Sequence, residues 1–191
     1  MKTSLILFLS IALLFGCKSG TNNNTDSIGM GMEDGTGENF NADTWDQEEI
    51  REFADNAAMG GMMEVELGKI AQNKGMSQQV RDFGKMMETD HGKANTQLKA
   101  ALQSLSLNVP ATMDKDHQDK VDNLNKKAGN DFDKEYIDEM VRDHKDEIDE
   151  FEKALQNLPT GDLRTWVENT LPVLRQHHVQ AQTIQDQLKN N

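Results

Sequence analysis

The feature that most constrains this chain is a helical periodicity of apolar residues, recurring through four long stretches between Thr44 and the C-terminus. Only three prolines, at positions 110, 159 and 172, punctuate the sequence, and no alternating run of β-branched residues offers a strand. The pattern predicts an all-α domain over residues 44–191. A first helix is expected from its N-cap Thr44 to Lys74, where Gly75 supplies a left-handed stop. A second starts at the Ser77 cap and carries Val80, Phe83, Met87, His91, Ala94, Leu98, Ala101 and Leu105, ending at Leu107 short of Pro110. A short charged helix is expected over 113–127, then a break at Gly129-Asn130. The third long helix takes Phe132, Tyr136, Met140 or Val141, His144, Ile148, Phe151 and Leu155. The fourth follows Thr160-Gly161 with Leu163, Trp166, Thr170, Leu174, His177, Ala181, Ile184 and Leu188, and Pro172 inside it is expected to bend it.

Helices of about 27 to 30 residues are about 40 to 45 Å long, which suits a four-helix bundle. The connection between the second and third helices, about 22 residues with its own short helix, is longer than antiparallel neighbours need. A crossover along the bundle follows, leaving those two helices parallel in a ferritin-like arrangement. An up-down bundle with a decorated loop is the alternative.

The first sixteen residues are of another kind. Lys2 precedes an apolar run from Leu5 to Phe15, broken only by Ser10, that is too short to span a bilayer as a helix. With Gly16 followed by the sole cysteine, Cys17, the segment resembles a bacterial lipoprotein signal, which implies cleavage after residue 16 and lipidation of Cys17. Several acyl chains on one cysteine anchor stably where a single chain does not. Residues 17–43 turn to Gly, Asn, Thr, Ser and Asp, a composition that cannot bury enough apolar area to order itself, and read as a flexible linker. Met30 and Met32 within it are a poor basis for a Cu(I) hook. The expected location is the cell envelope, lipid-anchored at the outer membrane or on the periplasmic face.

Charge excludes one class of partner. With 33 acidic against 20 basic side chains the chain carries −13, and no basic cluster is present to meet a phosphate backbone, so nucleic acid is not expected. An acidic body is also held off anionic membrane surfaces. A single cysteine rules out an internal disulfide, a zinc ribbon and C-x-x-C chemistry. There is no G-x-S-x-G elbow and no glycine-rich phosphate loop, so no catalytic nucleophile is assigned. A protein partner or homo-oligomer is left open.

The chemistry that remains lies in histidines and carboxylates. Phe83-x3-Met87-x2-Asp90-His91-x6-Leu98 is echoed by Tyr136-x3-Met140-x2-Asp143-His144-x6-Phe151. Both histidines lie about 13 residues from the start of their helices and His177 about 16 into an oppositely running one, so a crossover brings three imidazoles to one height. Glu64 joins them from the first helix, in the stripe Phe53, Ala57, Gly61, Glu64, Gly68, Ala71, where small neighbours allow close helix approach. A carboxylate buried there needs a partner. Glu64, His91, His144 and His177 are therefore the expected metal ligands, for Zn, Fe, Mn or Cu. Asp90 and Asp143 are expected to orient imidazoles of neighbouring helices, and Glu66 and Glu88 are additional candidates.

Glu88-x-x-His91 matches the Glu/His pair of di-iron bundles, but Val141 and Leu174 stand where its counterparts would need Glu, which argues against a full di-iron centre and against ferritin-type oxidase chemistry. A metal-free interaction or scaffold module built on a buried His/Asp network is the competing reading. Met59, Met62, Met63, Met86, Met87 and Met140 read as core filler rather than copper ligands. His117 and His178 are expected to face solvent, as is the acidic run Asp146, Glu147, Asp149, Glu150 and Glu152.

Glu64 to Ala71, Phe83 to His91 with Asn95, Phe132 to His144 with Phe151, and Leu171 to Leu174 with His177 and Ala181 together resemble the bacterial "domain of unknown function 4142" family over residues 48–189. The resemblance implies a ferritin-like four-helix domain in an exported, often outer-membrane, protein. It supplies no reaction. The family's recurrent residues fall on Glu64, Asp90, His91, Asp143, His144 and His177.

Overall fold

A computed structural model describes residues 44–190, which form five α-helices and no strand. The expected signal segment 1–16, Cys17 and the linker 17–43 lie outside the described residues. The helices are α1 (Gln47–Lys74), α2 (Gln78–Ala101), α3 (Lys115–Asn125), α4 (Gly129–Asn157) and α5 (Asp162–Lys189), with a 3-10 turn at Leu102–Leu105. The third and fourth helices of the sequence reading are α4 and α5. None of the described helices is long and apolar enough to cross a membrane.

The helix ends show which local signals won. Asp46, not Thr44, caps α1: its carboxylate accepts from the backbone N–H groups of Glu48 and Glu49, while the Glu49 side chain accepts from the Asp46 N–H in return. Gly75 ends α1 with φ −57° and ψ 128°, so the stop is not left-handed. Glycine is required there for space, because a Cβ would stand 2.7 Å from the Ala71 carbonyl oxygen. Ser77 caps α2 as expected, but α2 gives way at Ala101 to the 3-10 turn, closed by Ser106 in the left-handed region (φ 56°). Gly129 is the first residue of α4 rather than part of a break, with φ 62°.

Contacts at the helix ends give the directions. Ser77 and Met76 donate their backbone N–H groups to the buried Asp133 carboxylate, which ties the start of α2 to the start of α4. The Trp45 N–H donates to the Asn157 carbonyl and Phe53 meets Phe151 edge-on at 5.4 Å, so the start of α1 lies at the end of α4. Trp166, early in α5, donates its indole N–H to the Ala94 carbonyl late in α2. Hence α2 and α4 run the same way, α1 and α5 the other, and the chain from 102 to 128 travels back along the bundle as the crossover requires. Two glycines let α1 and α2 approach closely. A Cβ on Gly68 would sit 2.5 Å from the Gly84 carbonyl oxygen, and one on Gly84 would sit 2.7 Å from the Gly68 carbonyl oxygen.

The apolar interior is divided in two. One cluster gathers Trp45, Phe53, Ala58, Leu98, Phe151, Trp166 and Leu174. The other gathers Met63, Leu67, Phe83, Met87, Tyr136, Met140 and Ala181. Along α2, α4 and α5 the boundary between them falls at His91, His144 and His177, and along α1 it falls beside Glu64.

Candidate metal centre

These four side chains form a polar layer between the two apolar clusters. Glu64, His91, His144 and His177 are all at most 5% exposed, and each comes from a different long helix. The imidazole ring centres are 5.3 to 5.4 Å apart in all three pairs. One nitrogen from each histidine can be chosen so that the three lie within 4.8 Å of one another. Imidazoles at one height follow from residue counting along parallel and antiparallel rods, as the sequence spacing predicts.

Hydrogen bonding fixes which nitrogens carry protons. His144 Nδ1 donates to the Met140 carbonyl at 3.0 Å, because a carbonyl only accepts, so its Nε2 presents a lone pair. His177 Nε2 donates to the Asp90 carboxylate at 3.0 Å, so its Nδ1 also presents a lone pair. These two lone-pair nitrogens face each other at 3.3 Å. A proton between them would need one ring to be cationic. Burial, together with the neighbouring imidazoles, holds His144 well below its ordinary value, and burial followed by His91 brings His177 down to about 4. Both rings are therefore neutral near pH 7, and the pair is repulsive unless a cation joins it. A tetrahedral centre with metal–nitrogen bonds of about 2.0 to 2.1 Å puts its ligand atoms about 3.3 to 3.4 Å apart.

Glu64 closes the layer from α1. Its Oε2 lies 2.6 Å from His91 Nδ1 and its Oε1 lies 3.3 Å from His144 Nδ1, yet neither oxygen makes a directed hydrogen bond. His91 Nε2 is likewise buried without a partner. Glu64 thus lies against the Nδ1 sides of His91 and His144, and its carboxylate groups within 4.8 Å with His144 and Glu147 rather than with the three imidazoles together. Burial raises the Glu64 carboxyl well above its usual range, with the nearby Asp143 charge adding to the effect, and burial lowers His91.

The other expected residues separate. Asp90 accepts from His177 Nε2 at 3.0 Å, whereas Asp143 meets no imidazole: its Oδ1 meets Lys120 Nζ of α3 at 2.7 Å. Glu66 pairs with Lys69 at 3.4 Å on the groove between α1, α2 and α3, and Glu88 accepts from Gln72 at 2.7 Å across α1 and α2. Both point to other partners because they lie off the inward stripe of their helices. Met63, Met87 and Met140 are packed in the apolar core. His117 and His178, expected in solvent, are half-buried, with His117 Nδ1 donating to Asp114 at 2.7 Å.

Sequence reasoning missed Glu147. Read as part of a solvated acidic run, it instead buries Oε2 without a partner, and its carboxylate can be grouped with Glu64 and His144 within 4.8 Å. Burial and the Glu64 charge raise its carboxyl well above the usual range. The signal was present: 140, 144, 147 and 151 continue one inward stripe, but apolar Ile148 was taken for the inward position. Tyr136 was read only as core; its buried hydroxyl has no partner, and burial and the Glu64 charge push it upward.

A match to the family described as "domain of unknown function (DUF4142)" spans residues 37–184, and the chain belongs to that family. No curated protein and no solved structure matches the chain.

Proposed function

We propose that this chain binds a divalent transition metal ion at mid-bundle through His91, His144, His177 and Glu64, serving sequestration, sensing or stress protection in the cell envelope. The observation that carries the reading is the pair of neutral imidazoles turned lone pair to lone pair at 3.3 Å, beside a carboxylate with no directed partner. Three imidazoles and one carboxylate suit Zn, Fe, Mn or Cu. His144 and His177 each have their second nitrogen held by a bond that fixes the ring, to the Met140 carbonyl and to Asp90; second bonds of this kind are what orient metal-bound histidines. Lipid attachment at Cys17 would hold the protein at a bacterial membrane, with the segment 18–43 as tether.

The test is metal analysis by mass spectrometry of protein purified without an affinity tag, with melting followed on addition of Zn, Cu, Mn and Fe. Stoichiometric metal that is lost in His144→Ala supports the reading. Absence of stoichiometric metal, with no effect of His144→Ala on binding, defeats it. A metal-free polar network is favoured by one observation, the His177 to Asp90 bond, and it predicts that outcome.

A further inference from the structure

The four proposed ligands are closed to solvent: Glu64 and His144 are wholly covered, and His91 and His177 are at most 5% exposed. An ion must therefore reach them through a part of the bundle that opens. A cleft of about 240 Å³ between α1, α3 and α4 is lined among others by Gly60, Met63, Lys120, Asp146, Glu147 and Glu150. Glu147 belongs both to this cleft and to the polar layer. It is partly exposed, yet one of its carboxylate oxygens lies within 4.8 Å of donor atoms on Glu64 and His144. Its Oε2 is buried without a hydrogen-bond partner, as are both oxygens of Glu64. Gly60 leaves the carboxylate room, since a Cβ there would stand 3.2 Å from Glu147 Oε1. The bases lining the cleft have other partners: Lys120 Nζ meets Asp143 at 2.7 Å and Glu139 at 2.9 Å, and His117 Nδ1 meets Asp114 at 2.7 Å. Two donor groups thus share His144, the imidazole triad on one side and Glu64 with Glu147 on the side of the cleft. Asp90 also ties the layer to the surface, but His177 Nε2 holds its carboxylate at 3.0 Å, and entry there would break the bond that fixes that ring.

We propose that this cleft is the path by which the ion enters and leaves the imidazole centre, with Glu147 as the relay that takes it from water and passes it to Glu64 and His144. A hydrated divalent cation cannot shed its water into an apolar core, because each water lost must be replaced by another donor. Carboxylate oxygens make that replacement one ligand at a time. Glu147 binds first and Glu64 second, after which the imidazoles displace Glu147 and the remaining water. Glu147 is left outside the final set, in which three nitrogens and one oxygen complete a four-coordinate centre. Asp146 and Glu150, exposed on the rim, draw the ion to the mouth by their charge. This inference rests on the proposed imidazole centre and adds its route of access.

The experiment strips the tag-free protein of metal, mixes it rapidly with Co²⁺ and follows the visible absorbance of the bound ion; excess chelator then drives release. A relay lowers the barrier in both directions. Glu147→Gln is therefore expected to slow loading and release alike, by about tenfold or more, with Kd within about threefold of wild type. The rim variant, Asp146→Asn with Glu150→Gln, changes exposed side chains only and is expected to slow loading severalfold at low salt, the difference vanishing in about 1 M salt. The route is overturned if Glu147→Gln loads and releases Co²⁺ at wild-type rates, or if the rim variant loads as fast as wild type at low salt. It is also overturned if Glu147→Gln weakens binding through faster release, since Glu147 would then be a ligand of the settled ion. If Glu147→Gln does not fold, the rim variant decides. Wild type that binds no Co²⁺, or whose absorbance is unaltered by His144→Ala, contradicts the imidazole centre itself, and the route falls with it.

Discussion

His144 Nε2 and His177 Nδ1 lie 3.3 Å apart in the buried centre of the bundle, each with its proton committed to a bond on the far side of its own ring. Nothing in a core that only had to be stable requires this arrangement. Two apolar clusters already pack on either side, and a matched apolar layer between them would avoid burying three imidazoles and a carboxylate. The polar layer carries a stability cost that an apolar layer would not.

Replacing the buried carboxylate should expose that cost. Glu64→Gln keeps the shape and removes the ionisable group, so the metal-free protein is expected to be at least as stable at pH 7, because burial already disfavours the charged carboxylate. The same variant is expected to lose stabilisation by added metal. Urea unfolding of both proteins, with and without chelator, measures the two effects; a variant that is less stable under both conditions would contradict the account.

The metal-free protein should weaken in mild acid. His177 titrates at about 4 in the folded protein, chiefly through burial and then through His91, whereas an unfolded imidazole titrates near 6.5. Between those values the unfolded chain binds more protons, so stability falls as pH falls. The contribution is complete above about pH 6.5 and amounts to at most about 3 kcal/mol by pH 4. Glu64 and Glu147, with raised values, act oppositely: their contribution is present in acid and is lost as pH rises past the ordinary carboxyl range. Comparing wild type with His177→Phe by urea unfolding across this range cancels the carboxyl part, and the variant is expected to show the flatter acid limb.

Packing away from the centre should be separable from metal binding. Phe53 meets Phe151 and Trp166 edge-on and Trp45 at a tilt, in the cluster remote from Leu67 and Met87. Phe53→Ala is expected to cost about 3 to 5 kcal/mol while metal stoichiometry stays unchanged, measured by denaturation and by metal analysis of the folded fraction. Gly84→Ala should also destabilise, because its Cβ meets Ala71 Cβ and the Gly68 carbonyl at 2.7 Å and overpacking of this kind costs about 1 to 3 kcal/mol.

Much of this was legible in the sequence, and the exceptions have physical causes. The apolar period gave four long helices, and the length of the connection argued for a crossover that puts His91 and His144 at one level. Equal residue counts along rods of fixed rise then sufficed to bring the imidazoles together. Glu147 escaped because Ile148 competes for the same inward position, and residue type was allowed to decide between them. Asp143 escaped because its partner, Lys120, comes from α3, whose docking no local pattern specifies. Asp133, which aligns α2 with α4 through two backbone N–H groups, gave no sequence signal of its own.

Anchoring can be checked independently of the centre. Lipidation at Cys17 predicts that the full chain, expressed in a bacterium, sediments with membranes, and that Cys17→Ser moves it to the soluble envelope fraction. Equal partition of the two proteins would contradict the anchor and leave the metal reading untouched.

Metal itself should stabilise the fold. At a free concentration one hundred times the dissociation constant, binding contributes about 2.7 kcal/mol, which for a domain of this size raises the melting temperature by roughly 5 to 10 °C. His91→Ala and His144→Ala are expected to abolish the rise, read by calorimetry.

The most direct measurement is X-ray absorption of the tag-free protein loaded with one equivalent of Zn²⁺. Three imidazole nitrogens and a carboxylate oxygen at about 2.0 to 2.1 Å, with the imidazole scattering lost in His144→Ala, is the predicted result. A bound ion surrounded by oxygen alone, or a spectrum unchanged by His144→Ala, would contradict it.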